Sequence, residues 1–339
     1  MATFHGYAAT AAKAPLTRYD FDPGPLADDE VEIAVAYCGV CHSDLSMLDN
    51  DWGMSTYPLV PGHEVAGTVA AVGSRVTSRQ VGERVGLGWT AGSCRYCKQC
   101  QSGDGNLCAT STGTIVGRPG GFADRVRCKA EWAVPIPSGI DLKVAGPLFC
   151  GGATVFNPLV QFDVPPTARA GVVGVGGLGH MALRFLNKWG CDVTAFTSSA
   201  GKEAELRAMG AHHVVSSTDS SALKKIAGTI DFLLVTVNVA LDWASYLEVL
   251  APKGRLHVVG AVLEPIPVGA FALIMGQKSI SGSPVGSPST IATLLDFCAR
   301  HSIAPQVEVF PMSKVNDALA HVRANKARYR VVLQNDLGS

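Results

Sequence analysis

The chain has 339 residues, with 28 Lys and Arg against 28 Asp and Glu, a formal net charge of zero and 47% hydrophobic residues. It carries no basic stripe or Lys/Arg run, which excludes the electrostatic footprint of a nucleic-acid binder, and no apolar run is long enough to cross a bilayer. The length allows two or three domains, each able to bury its own core, and partners are expected to be small molecules.

Residues 1–15 lack the charged stretch and apolar core of a signal peptide, so a cytoplasmic protein is expected. From 30 to 86 the pattern is β-like. Val31, Ile33 and Val35 alternate with Glu32 and Ala34, and the apolar runs 65–72 and 81–85 are broken by glycines, as in a barrel-like β region. Cys94, Cys97, Cys100 and Cys108 follow as C-x2-C-x2-C-x7-C, in a segment whose Gly92, Lys98, Gly103 and Gly105 suit an exposed loop. Four thiolates at this spacing close a tetrahedral cage around a structural zinc ion, which leaves no open position for chemistry. Two disulfides, which would need an oxidising compartment, or four scattered buried thiols are the alternatives. Between 170 and 284 short apolar strands (170–175, 192–196, 232–237, 256–259) alternate with helices (181–189, 203–209, 243–250), the mark of a parallel sheet covered on both faces. Helices over 290–300 and 315–324 and a strand over 329–333 then return the chain to its first domain.

The strand ending at Val175 runs into Gly174, Val175, Gly176, Gly177, Leu178 and Gly179 and then into a helix. In that context G-x-G-x-x-G is a dinucleotide-binding turn, because missing Cβ atoms let the backbone approach a pyrophosphate at the helix N-terminus. An acidic residue about 20 positions on would hold the ribose of NAD. The next strand ends instead in Thr197, Ser198 and Ser199, with Lys202 one turn on. Hydroxyls and a cation in place of a carboxylate favour the extra phosphate of NADP. Helix capping by Thr197 and Ser198 is compatible with that role.

Cys41, His63 and Cys150 offer two thiolates and one imidazole, which would leave the fourth position of a tetrahedral zinc open, as a catalytic metal requires. From spacing alone this set stays open, since each residue singly also fits a packed cysteine or a turn histidine. Trp52, Tyr57, Trp89 and Phe149 lie beside these segments and fit either an apolar substrate slot or ordinary core. Trp132, Trp189 and Trp243 read as core or interface. Cys38, Cys128, Cys191 and Cys298 read as small buried hydrophobes, and His212 and His213 as a surface turn.

C-G-V-C-H-S-D at residues 38–44, G-H-E at 62–64, the four-cysteine lobe, the glycine turn and Y-R-V-V at 329–332 together resemble the zinc-dependent medium-chain alcohol dehydrogenases. M-S-x-Y-P-L-V-P-G-H-E at 54–64, T-S-S at 197–199 and L-D-F-C at 295–298 resemble the NADP-dependent cinnamyl-alcohol-dehydrogenase-like branch in particular. The resemblance implies an α/β protein with a GroES-like β-rich catalytic domain (1–152 and 289–339, with the zinc lobe at 92–110) and a doubly wound Rossmann domain (153–288). It also implies NADP(H), two zinc ions per chain and a homodimer paired through the strand at 278–283.

By the same resemblance Cys41, His63 and Cys150 hold the catalytic zinc, and Glu64 is able to approach it. Ser43 relays a proton and Asp44 orients His63. The branch usually has histidine where this chain has Ser46, so the relay is expected to pass through water or His42. A short segment between Cys108 and Gly120 implies a wide substrate mouth. The expected function is hydride transfer between NADPH and aldehydes, aromatic or medium aliphatic. An NAD-using secondary-alcohol or polyol dehydrogenase and a non-catalytic zinc or redox sensor are the alternatives.

Overall fold

The structure, a computed structural model, describes residues 2–337. The end points 1 and 339 expected for the catalytic domain lie outside the described residues. The chain folds into two compact units, one running through Ala153 and resuming at Val285, the other Thr154–Pro284.

The first unit is β-rich. Its strands are β1 (Phe4–Ala8), β2 (Thr17–Phe21), β3 (Glu30–Val40), β4 (Val65–Val72), β5 (Arg84–Leu87), β6 (Thr90–Gly92), β7 (Thr112–Gly113), β8 (Arg125–Lys129), β9 (Val134–Pro135), β16 (Val307–Pro311) and β17 (Arg330–Gln334). Its helices are α1 (His42–Asp49), α2 (Lys98–Gln101), α3 (Leu142–Ala145), α10 (Pro288–His301) and α11 (Val315–Arg323). The main sheet runs β16-β17-β3-β4-β5-β9, with β8 also paired to β3. β3 organises it. Val31 and Ile33 are fully buried, and Glu32 between them is buried too because Arg125 and Arg127 hold its carboxylate at 2.6 and 3.0 Å. A carboxylate can leave water only when its charge is met in this way.

Register decides where the chemistry-bearing residues meet. Antiparallel pairing sets Cys38 opposite Val65 and Val331 opposite Val40. The end of β3, the start of β4 and the start of β17 therefore lie together, and residues 39–41, 62–64 and 330 share one edge of the sheet.

Helix α4 (Gly151–Gln161) leads from the first unit into the second. There β10 (Arg169–Val173), β11 (Asp192–Thr197), β12 (His213–Ser216), β13 (Ile230–Val235), β14 (Leu250–Val258) and β15 (Ser279–Gly282) form a wholly parallel sheet in the order β12-β11-β10-β13-β14-β15. The connections carry α5 (Gly179–Trp189), α6 (Glu203–Ala208), α7 (Ser220–Lys225), α8 (Trp243–Glu248) and α9 (Ala270–Ile274). Strand order reverses between β10 and β13, the switch point at which doubly wound folds bind ligands. Trp243 and Tyr246 are buried, with Tyr246 edge-on to Phe196 at 5.7 Å.

Several elements differ from the sequence reading. The glycine-led helix starts at Gly179 rather than residue 181, since amides of a Gly-rich turn can open a helix without a side-chain cap. The zinc lobe contains one helical turn, α2, where only loop is expected. His213 opens β12 instead of lying in a turn, and the pair bonds the strand next door: His213 reaches Asp192, and His212 Nδ1 accepts from the Val193 amide. The hairpin β1-β2 carries no strong periodic signal.

Candidate active site and metal centres

Cys41 lies just past β3, His63 and Glu64 just before β4, and Cys150 at the end of a short 3-10 turn, Gly146–Phe149. One ligand atom from each lies within 4.8 Å of every other. Cys41 Sγ is 3.9 Å from Cys150 Sγ and 3.8 Å from Ser43 Oγ. His63, Glu64 and Cys150 are buried and Cys41 is partly open.

Asp44, itself fully buried, fixes this cluster. Its Oδ1 accepts from His63 Nδ1 at 3.0 Å and from the Gly62 amide at 2.9 Å, while Oδ2 accepts from the Cys41 amide at 2.9 Å. With Nδ1 donating to a carboxylate, His63 Nε2 is the free nitrogen, and it is buried without a hydrogen-bond partner in the structure. A buried ring nitrogen of this kind needs a ligand. A soft dication beside two sulfurs and one imidazole meets that need, so the residues fit zinc.

The electrostatics agree with that fit. The hydrogen bond from Cys150 holds the Cys41 thiol well below the usual thiol range against the cost of burial, and the same bond with burial pushes Cys150 well above it. Burial opposes charge on His63, yet Asp44 and Cys41 together outweigh it and lift the imidazole. Burial pushes Glu64 up to about 7 against the pull of Arg330. A metal bound between the two sulfurs would displace their protons.

The aromatic candidates separate. Trp89 stands edge-on to His63 at 5.1 Å, and Trp52 edge-on to Trp89 at 5.8 Å, both half-buried. Tyr57 turns its hydroxyl to the last carbonyls of α1, Leu48 at 3.0 Å and Met47 at 3.4 Å. Phe149 is not a slot residue. It is fully buried, and its ring fills the space beside Gly86, where a Cβ would come within 2.2 Å of it. His42 is exposed at the start of α1, and Ser46 is half-buried on the same helix.

Cys94, Cys97, Cys100 and Cys108 also place one sulfur each within 4.8 Å of the others. Helix α2 sets Cys97 and Cys100 one turn apart, and Cys94 Sγ accepts from the Cys97 amide at 3.3 Å. In the second unit the glycine turn is drawn tight. Gly174 has φ +88 and a Cβ there would meet Val237 at 2.2 Å, while one on Gly179 would meet the Gly174 carbonyl at 2.0 Å. A Cβ on Gly176 would meet nothing within 4 Å, so the backbone is bare toward open space, as a pyrophosphate cradle must be.

Residues 27–138 match the family model of the alcohol dehydrogenase GroES-like domain and 177–300 that of the zinc-binding dehydrogenases. An aldehyde reductase of Synechocystis sp. is 56% identical over 97% of this chain and 98% of its own length. The chain belongs to the zinc-dependent medium-chain alcohol dehydrogenases. Its branch is the cinnamyl-alcohol-dehydrogenase-like one. A cinnamyl alcohol dehydrogenase from Sorghum bicolor superposes with a TM-score of 0.94 at 37% identity, covering 100% of this chain and 98% of that one. A cinnamyl alcohol dehydrogenase from Helicobacter pylori, solved with NADP(H), gives 0.90 at 27% identity and covers 98% of each chain.

In this dehydrogenase β11 ends at Thr197, whose Oγ1 accepts from the Ser199 amide at 3.1 Å, and Ser198 and Ser199 are exposed. Lys202 is half-buried and has no ion-pair partner among the described residues. One residue the sequence reading left without a role is Arg330. It is 5% exposed and donates to Glu64 Oε1 at 2.5 Å and to the Val40 carbonyl at 3.2 Å. The available signal was an arginine opening an otherwise apolar strand, R-V-V-L, because a charge in a buried run demands a partner.

Proposed function

We propose that this dehydrogenase is an NADPH-dependent aldehyde reductase, reversible toward alcohol oxidation, with its catalytic zinc on Cys41, His63 and Cys150 and a structural zinc on the four lobe cysteines. The observation that carries the reading is the orphaned, buried Nε2 of His63, aimed by Asp44 and placed beside two sulfurs. Zinc held there would supply Lewis-acid polarisation of a carbonyl oxygen and a fixed positive charge for the hydride-transfer step. The chain does the rest. Asp44 keeps His63 in one tautomer. Ser43, two residues past Cys41, hands a proton to the product oxygen as it takes one from water or His42, since its hydroxyl is too weak an acid to act except as a relay. Trp52 and Trp89 offer an apolar corner for an aromatic or medium aliphatic aldehyde, and Glu64 stands by as an approaching carboxylate.

NADP(H) binds over the turn from Gly174 to Gly179, with Gly177 and Leu178 inside it. Thr197, Ser198, Ser199 and Lys202 receive the extra phosphate. No carboxylate ends β11, which disfavours an NAD-using polyol dehydrogenase. Lys202→Ala is expected to raise the Michaelis constant for NADPH about tenfold or more, the value of one charge-assisted contact, and to leave NADH kinetics unchanged. An unaltered constant for NADPH would remove the lysine from the site. The function itself is tested by initial rates with NADPH and NADH across benzaldehyde, cinnamaldehyde and short aliphatic aldehydes, together with metal analysis for two zinc ions per chain. No turnover with any of them would return the chain to a sensor role.

Asp44→Asn is expected to lower affinity for the catalytic metal ten- to hundredfold, since three donors would then face a single amide oxygen. Competition against a chromophoric chelator measures this, and wild-type affinity would count against Asp44 as the orienting group. A homodimer through β15 belongs to the same reading, supported by the exposed Phe271, Ile274 and Met275 near this edge strand. A reducing, cytoplasmic setting is supported by ten cysteines that are all free of disulfides.

A further inference from the structure

His180 is fully buried at the start of α5, a helix whose other buried residues, from Gly179 to Leu186, are apolar. An imidazole leaves water at a cost that only hydrogen bonds offset. Its Nδ1 lies 3.2 Å from the Gly176 carbonyl, and a carbonyl only accepts, so Nδ1 carries the proton. The same oxygen takes the His180 amide at 3.1 Å, so both donors of one residue converge on the glycine turn. Two residues earlier the Gly174 carbonyl is held in a similar way. Thr236, just past β13, donates its hydroxyl to it at 2.6 Å, while the Thr236 amide is anchored on the Val173 carbonyl at 3.0 Å.

The peptides that follow Gly174 and Gly176 are trans, so each amide hydrogen points opposite to the carbonyl oxygen of the residue before it. Holding those two carbonyls inward therefore turns the Val175 and Gly177 N–H groups outward, and among the described residues neither amide makes a hydrogen bond. Glycines alone do not secure this, because the freedom that admits a diphosphate also lets their peptide planes turn. A turned plane would set a carbonyl oxygen against the anion. We propose that His180, with Thr236, is a positioning residue for the coenzyme diphosphate, fixing two peptide planes of the glycine turn so that the Val175 and Gly177 amides face that group before it binds. The inference rests on the reading of Gly174 to Gly179 as the NADP(H) turn. The gain is preorganisation, since a turn already ordered loses less freedom on binding.

The test is calorimetric titration of the whole protein with NADP+ and, separately, with 2′-AMP, which carries the adenosine and its phosphate but no diphosphate. His180→Phe keeps a ring in the space and removes the donor. It is expected to weaken NADP+ about tenfold, the value of one hydrogen bond to a charged group, and to leave 2′-AMP within about twofold. His180→Asn, whose amide can offer a donor in place of Nδ1, is expected to recover most of the loss. Thr236→Val removes the second donor at nearly constant shape and is expected to give the same split, with Thr236→Ser close to the parent. That pair carries the test should His180→Phe fail to fold. Parental NADP+ affinity in folded His180→Phe, or in Thr236→Val where the first variant does not fold, overturns the proposal. An equal loss for both ligands also overturns it, since these side chains would then support the fold alone. A parent protein that binds neither NADP+ nor 2′-AMP is a separate result, and it overturns the coenzyme reading instead.

Discussion

Cys41→Ala is expected to yield a folded protein that has lost about a thousandfold or more in turnover and one of its two zinc ions. The rate loss corresponds to the several kcal/mol that a metal electrophile contributes to a carbonyl transition state. Folding should survive because the lost group carries little of the architecture. Cys41 is partly exposed, and the bond that fixes the start of α1 runs from the Cys41 backbone amide to Asp44 Oδ2, which alanine preserves. The stability cost is then about 1 kcal/mol, the ordinary value for a modest truncation. Zinc content, circular dichroism and initial rates read the three parts separately. A variant with one zinc ion and near-normal rates would move the chemistry away from this cluster, and a variant that melts far below the parent would recast Cys41 as structural.

How much of this was legible depends on distance along the chain. The glycine turn and the four-cysteine lobe are local, so their spacing alone announces them. The Cys41, His63 and Cys150 set could be ordered only by resemblance, because what unites these residues is the register of β3 against β4, and no residue near His63 announces that Cys38 will face Val65. Phe149 stayed open between slot and core for the same reason. Proximity to Cys150 in sequence says nothing about the direction of its ring, and the glycine that receives it, Gly86, lies on another strand. Arg330 shows the converse case. A buried cation on an apolar strand signals a hidden carboxylate, but Glu64 can be named as that partner only once β17 is known to lie beside β3.

Cys100→Ala tests the other metal, and its expected signature is different: local unfolding with activity largely kept. Among residues 93–110 only Gly105 and Cys108 are buried, while Tyr96 and Leu107 stand 77% and 50% exposed, so the lobe has no apolar core of its own. What ties it to the sheet is polar, chiefly Arg95 to Asp29 at 2.6 Å, beside Lys129 to Asp29 at 2.7 Å, with Gly105 packed over Trp132. Exposed ion pairs contribute about 0–1 kcal/mol each, whereas a structural zinc site contributes about 10 kcal/mol or more in small zinc-folded domains. Removing one thiolate should therefore release the metal and leave 93–110 close to unprotected in amide hydrogen exchange and open to proteolysis, while Cys41, His63 and Cys150 keep their zinc. Initial rates on freshly prepared protein are expected within about threefold of the parent, because stability here is drawn from separable local units. If exchange in 93–110 were unchanged after the metal had gone, the contacts to Asp29 and Trp132 would be holding the lobe and zinc would be a passenger.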